Sequence, residues 1–188
     1  VSAAELLLKT MQQFDIPDTI GDKAEFVANQ ITYLANNSAA DAESIAESYK
    51  MIGTVAGDLG LTLIDVNKMI AVASNVNLSG SQAGRTGVTA MIKMFTDPKA
   101  ASAMEKWGIN LSEIVAKGGG IVEVAHAMKR ALDEVGATTE QRAAAWNDLF
   151  GKVGLKFGLA LVTTSEEAIQ EWEDGAMRAV DTVERAYQ

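Results

Sequence analysis

Cysteine is absent from this chain. That excludes a disulfide framework, a thiolate nucleophile, an iron–sulfur cluster and a zinc–cysteine site. Histidine occurs once, as His126, too few for the multi-histidine metal centres of helical bundles. Two prolines in 188 residues leave long stretches free of helix breakers. Positive charge is scarce: 16 Lys and Arg stand against 25 Asp and Glu, a net charge of −9. Such a balance repels phosphate backbones and releases no counterions, so direct nucleic-acid binding by this segment is not expected. No apolar run approaches the 18 residues of a membrane span, and the opening Val1-Ser2-Ala3-Ala4-Glu5 lacks the basic start of a signal peptide. Because it opens on Val1 rather than methionine, the chain reads as a piece of a longer one.

What the sequence does contain is alanine, 30 residues of it, within a hydrophobic content of 48%. Runs of alternating β-branched residues are scarce and helical periodicity dominates. The expected fold is all-α, a compact bundle of about nine or ten short to medium helices with a long C-terminal helix. Residues 1–162 are read as the core domain and 163–188 as an amphipathic helix able to continue into a coiled coil. The spacing predicts helices over about 3–14, 22–36, 40–59, 63–75, 83–95 and 98–107, then 121–135 and 140–150. Ser38 and Thr62 read as N-caps, Asp97-Pro98 as a helix start, and Thr138-x-x-Gln141 as a capping box. Gly60, Gly108 and Gly136 read as helix ends. Residues 109–120, closing on Gly118-Gly119-Gly120, read as the least regular segment. Gly151, Gly154 and Gly158 interrupt the next apolar stretch, before Thr163-Thr164-Ser165-Glu166 caps the last helix.

The order of these signals resembles the conserved core region of tail tape measure proteins of long-tailed bacteriophages and prophages. The resemblance runs from about Leu6 to Val162. It is carried by Ala35-Asn36-Asn37-Ser38-Ala39-Ala40-Asp41 with Ile45-Ala46-Glu47-Ser48, by Ile52-Gly53-Thr54-Val55-Ala56 with Leu59-Gly60-Leu61-Thr62, and by Ile70-Ala71-Val72-Ala73-Ser74. Its most specific passage is Leu78-Ser79-Gly80-Ser81-Gln82-Ala83-Gly84-Arg85-Thr86-Gly87, followed by Trp107-Gly108-Ile109 and Leu149-Phe150-Gly151. The segment from Asn110 to Gly120, and the charges of Lys152 and Lys156, depart from the family pattern. The resemblance implies a non-enzymatic structural domain of the virion tail, assembled in the bacterial host cytoplasm. It implies roles in tail assembly, tail-length determination and genome delivery, with no cofactor. The implied partners are further copies of the chain (a homo-oligomer) and other tail proteins: tube, tip or baseplate, and assembly chaperones. Two alternatives stand beside it, a cell-wall-degrading, transglycosylase-like helical domain and a helical protein–protein adaptor.

The candidate contact surface is the last helix, where Ile169, Trp172, Ala176, Ala179, Val183 and Ala186 recur at coiled-coil spacing. Only about two and a half heptads are present, so docking on the domain itself and association with a partner helix are equally weighted readings. Glu123-x-x-His126 has the spacing of di-iron bundles but lacks the second copy that such a site needs. No nucleophile elbow accompanies the histidine. Glu43 with Glu47, and Glu167 with Glu171, read as solvated faces rather than a glycosidase pair. The three glycines at 118–120 resemble an anion loop only superficially, since neither a P-loop pattern nor a preceding strand is present. Gly154-x-x-x-Gly158 reads as tight helix packing, with transient membrane contact by Val153–Val162 as an alternative.

Overall fold

Short polar side chains set the helix starts. Asp22, Asp41, Thr62, Asp97, Asn110 and Thr138 each accept a hydrogen bond from a backbone N–H two or three residues ahead. At Thr62–Asp65 and Thr138–Gln141 the bond is reciprocated, closing a capping box. The computed structural model describes the backbone of residues 3–78 and 80–186, and side chains as far as residue 179. Among the described residues there are ten helices and no strand: α1 (Ala3–Gln13), α2 (Lys23–Asn36), α3 (Ala42–Asp58), α4 (Leu63–Asn75), α5 (Gly80–Thr96), α6 (Pro98–Lys106), α7 (Leu111–Ala116), α8 (Ile121–Glu134), α9 (Thr139–Leu161) and α10 (Glu166–Ala186). The fold is all-α, as the periodicity predicts.

Three local expectations need correction. Ser38 does not cap α3: its hydroxyl donates to the Leu34 carbonyl at 2.7 Å, and Asp41 takes the cap instead. α5 begins at Gly80, three residues ahead of the predicted start. Residues 109–120 are not irregular throughout, because Asn110 accepts from the Glu113 N–H and opens the six-residue α7. The break predicted at Gly151 is present. Its φ of 67° and ψ of 172° bend α9 within an otherwise continuous helical span, a backbone conformation natural only to glycine.

α4 forms the axis of the molecule. Leu63, Val66, Met69, Ile70, Val72 and Ala73 are buried on all its faces, the pattern of a helix enclosed by others rather than lying on a surface. It touches α2, α3, α5, α8, α9 and α10. Around it, α5 is clasped between α3 and α9, the two most extensive helix pairings in the structure. The small residues of α5 permit this closeness. A Cβ on Gly80 would lie 2.4 Å from Cα and O of Ser44 in α3, a distance that no side chain could accept. The Ser48 hydroxyl donates to the Gly80 carbonyl at 3.1 Å across the same crossing. The passage most specific to the resemblance is therefore the narrow spine on which α3 packs.

Candidate functional site

A helix buried on every face has nowhere to put a charge, yet α4 carries Lys68, 2% exposed. Its Nζ lies 3.3 Å from Asp65 Oδ1 one turn earlier on α4 and 2.6 Å from Glu123 Oε1 on α8. A third carboxylate, Glu173 Oε2 on α10, stands at 3.1 Å. Asp65 and Glu123 have further duties. Asp65 accepts from the Thr62 N–H and hydroxyl in the α4 cap, while Glu123 Oε2 accepts from the Gly120 N–H at 2.6 Å at the start of α8. Two helix starts and the last helix thus converge on one ammonium group. Burial alone would lower the Lys68 pKa, but Glu123 first, then Asp65 and Glu173, outweigh it and hold the lysine charged with its pKa raised. Burial pushes the other way on Glu123, and Lys68 with the Gly120 N–H overcomes it, so the carboxyl pKa is lowered.

α10 completes the arrangement. Of the predicted contact stripe, Ile169 and Ala176 are buried against the bundle, and Trp172 and Ala179 are half-buried. Val183 and Ala186 lie on the helical backbone, with side chains outside the described residues. Trp172 meets the ring of Tyr33 in α2 edge-on, centroids 5.4 Å apart. Gln30, fully buried on α2, donates from Nε2 to the Ala176 carbonyl at 2.8 Å. At the start of α10, Glu166 pairs with Arg130 of α8 and stands 3.7 Å from Nδ1 of His126.

His126 is 6% exposed, and burial lowers its pKa despite the nearby Glu166. A cavity of about 150 Å³ between α8 and α10 is bordered by His126, Arg130, Glu123, Glu166 and Glu173. No set of three His, Cys, Asp or Glu side chains among the described residues is arranged to hold a metal ion. Glu43, Glu47, Glu167 and Glu171 are exposed. Gly154 packs against Ala90 of α5 and Gly158 against the Phe150 ring, and no helix among the described residues is long and apolar enough to cross a membrane. What this geometry offers is interhelical fastening by buried charge and hydrogen bonds. Nothing local in the sequence marks Gln30 or Tyr33 for this work. The one available signal is a lysine inside the apolar run Leu63–Ser74, with an acid three residues before it.

The profile of the family described as "Phage-related minor tail protein" matches residues 1–151. The chain is 22% identical over 180 residues to the "Probable tape measure protein" of Escherichia phage P2, covering 95% of this chain and 22% of that protein. It is 24% identical over 171 residues to the "Tape measure protein" of Pneumococcus phage Dp-1, covering 90% of this chain and 14% of that protein. The chain thus spans less than a quarter of the length of either relative. No solved structure matches it.

Proposed function

The chain belongs to the phage-related minor tail protein family, and from that premise we propose that it is a compact structural domain of a tail tape measure protein. It acts by helix packing and not by catalysis. The observation that carries this reading is the similarity to tape measure proteins along 95% and 90% of the chain. In such a protein, length is metered by the elongated helical part, where each residue adds about 1.5 Å of rise. The present domain, folded into ten helices among the described residues, is an anchoring unit within or beside that ruler. In this reading 1–162 is the core domain and 163–188 the arm, whose described part lies docked on the core through Ile169, Trp172 and Ala176. Its partners are further copies of the chain, engaged through Ile169, Trp172, Ala176, Ala179, Val183 and Ala186, together with tube and tip proteins of the virion tail assembled in the host cytoplasm.

The two parts respond differently to deletion. Removing whole heptads from the elongated part of the parent protein shortens the tails seen by electron microscopy by about 10 Å per heptad. Removing one helix of this domain abolishes tails without producing a shortened class. Tails of unchanged length after heptad deletion overturn the ruler reading, and tails of reduced length after a deletion here overturn the anchoring one. Self-association is tested separately: at concentrations high enough for the wild type to pair, Trp172→Ala returns the mass measured by light scattering to that of one chain, and an unaltered oligomer rejects the stripe.

A further inference from the structure

α10 is fastened to the molecule unlike the other long helices. α5 is held by backbone-close crossings on both sides. α10 sets Ile169, Trp172, Ala176 and Ala179 deeply or partly into the bundle, brings Gly175 against Tyr33 of α2, and is held besides by polar hooks. Among these are Glu173 on Lys68, Glu166 on Arg130, and the Ala176 carbonyl on Gln30. The seat also leaves hydrogen-bonding capacity unused. Trp172 Nε1, Gln30 Oε1 and His126 Nε2 are buried and have no protein hydrogen-bond partner. These are three of the five such atoms among the described residues, and a fourth, Asp65 Oδ1, faces Lys68. Docking therefore strands polar groups that water would satisfy if the helix left. Nor does departure orphan the buried lysine, since Asp65 and Glu123 remain beside it.

We propose that α10 is a releasable strap. It leaves the bundle as a unit while α1 to α9 stay folded, and while docked it covers, on Ile169, Trp172 and Ala176, the stripe through which two copies pair. The pairing half rests on the self-association reading above. One stripe cannot face its own bundle and a second α10 at once, so docking and pairing exclude each other, and the strap sets when the arm is available.

The test is amide hydrogen exchange along the whole chain, run beside light scattering across a range of concentrations. In the wild type, amides of residues 168–179 exchange at least ~100-fold faster than those of α4. Two substitutions outside the stripe loosen the seat. Gly175→Ala places a Cβ 1.9 Å from the Tyr33 hydroxyl oxygen. Gln30→Glu replaces the amide that donates to the Ala176 carbonyl. Both raise α10 exchange by a further ~10-fold or more, leave α4 unchanged, and move the mass toward two chains. Protection of α10 equal to that of α4 in the wild type overturns the strap. So does an increase that spreads to α4, or no increase in either variant. Faster exchange confined to α10 with a single-chain mass at every concentration supports the strap and rejects the pairing reading instead.

Discussion

Lys68 shows how much one side chain can organise. Removing a buried ammonium leaves Asp65, Glu123 and Glu173 facing one another without a cation, and breaking a buried pair from one side costs about 3 to 5 kcal/mol. Lys68→Met is accordingly expected to lower stability by that amount in urea unfolding. The pH dependence follows from the directions of the shifts. Because the Glu123 pKa is lowered, its contribution is present above the ordinary value of 4.5 and is lost as the pH falls through the lower folded value. Because the Lys68 pKa is raised, its contribution is present below 10.5 and is lost only as the pH climbs through the higher folded value. His126, faced by Glu166, Arg130 and Glu123, has a lowered pKa because burial disfavours its charged form. Its stability contribution is therefore complete above 6.5 and falls away below it. Urea midpoints measured between pH 7.5 and 5.5 should decline in the wild type and decline less in His126→Gln. The convergence of this cluster is not legible in the sequence: Asp65 lies one turn from Lys68, but Glu123 and Glu173 lie 55 and 105 positions away. Local pattern reaches only a few turns.

At the scale of the element, legibility followed the caps. α4 runs over the predicted residues because Thr62 and Asp65 close a reciprocal box and Asn75 ends the periodic run. The start of α3 is ambiguous in the sequence because Ser38 and Asp41 are both competent caps; in the structure the Ser38 hydroxyl is spent on the Leu34 carbonyl and Asp41 accepts from the Ser44 N–H. Asp41→Ala should cost about 1 kcal/mol and Ser38→Ala less, read from the same urea curves. α7 escaped because six residues give no full hydrophobic period, although Asn110 carried the capping signal. The crossing of α3 and α5 makes a sharper demand. Gly80→Ala forces a Cβ onto the Ser44 backbone, and overpacking of this kind costs about 1 to 3 kcal/mol. Gly21→Ala, with nothing within 4 Å of the new carbon, should change stability by less than about 0.5 kcal/mol. Equal losses in the two variants would refute the close crossing.

Over the whole molecule, 188 residues that could form a rod about 280 Å long at ~1.5 Å per residue are instead turned back at short intervals. Chain-length scaling for a compact domain gives a radius of gyration of about 16 Å, which small-angle scattering of dilute protein should return for the closed single chain. The all-α class and the helix count came from the alanine content and the regular turn signals, which act over the length of the chain and need no tertiary information. The placement of α10 did not. Its stripe fits a partner helix or its own bundle equally well, and the choice depends on Gln30, Tyr33 and Lys68, which belong to other elements.

Both the first helix and the last lie on α2, since α1 and α10 each pack against it. Tension applied between the two ends of the domain therefore meets these outer helices before it meets α4, whose six neighbours would have to be stripped away first. Under pull, the molecule should lengthen in stages from its margins inward, and its axis should be the last part to yield.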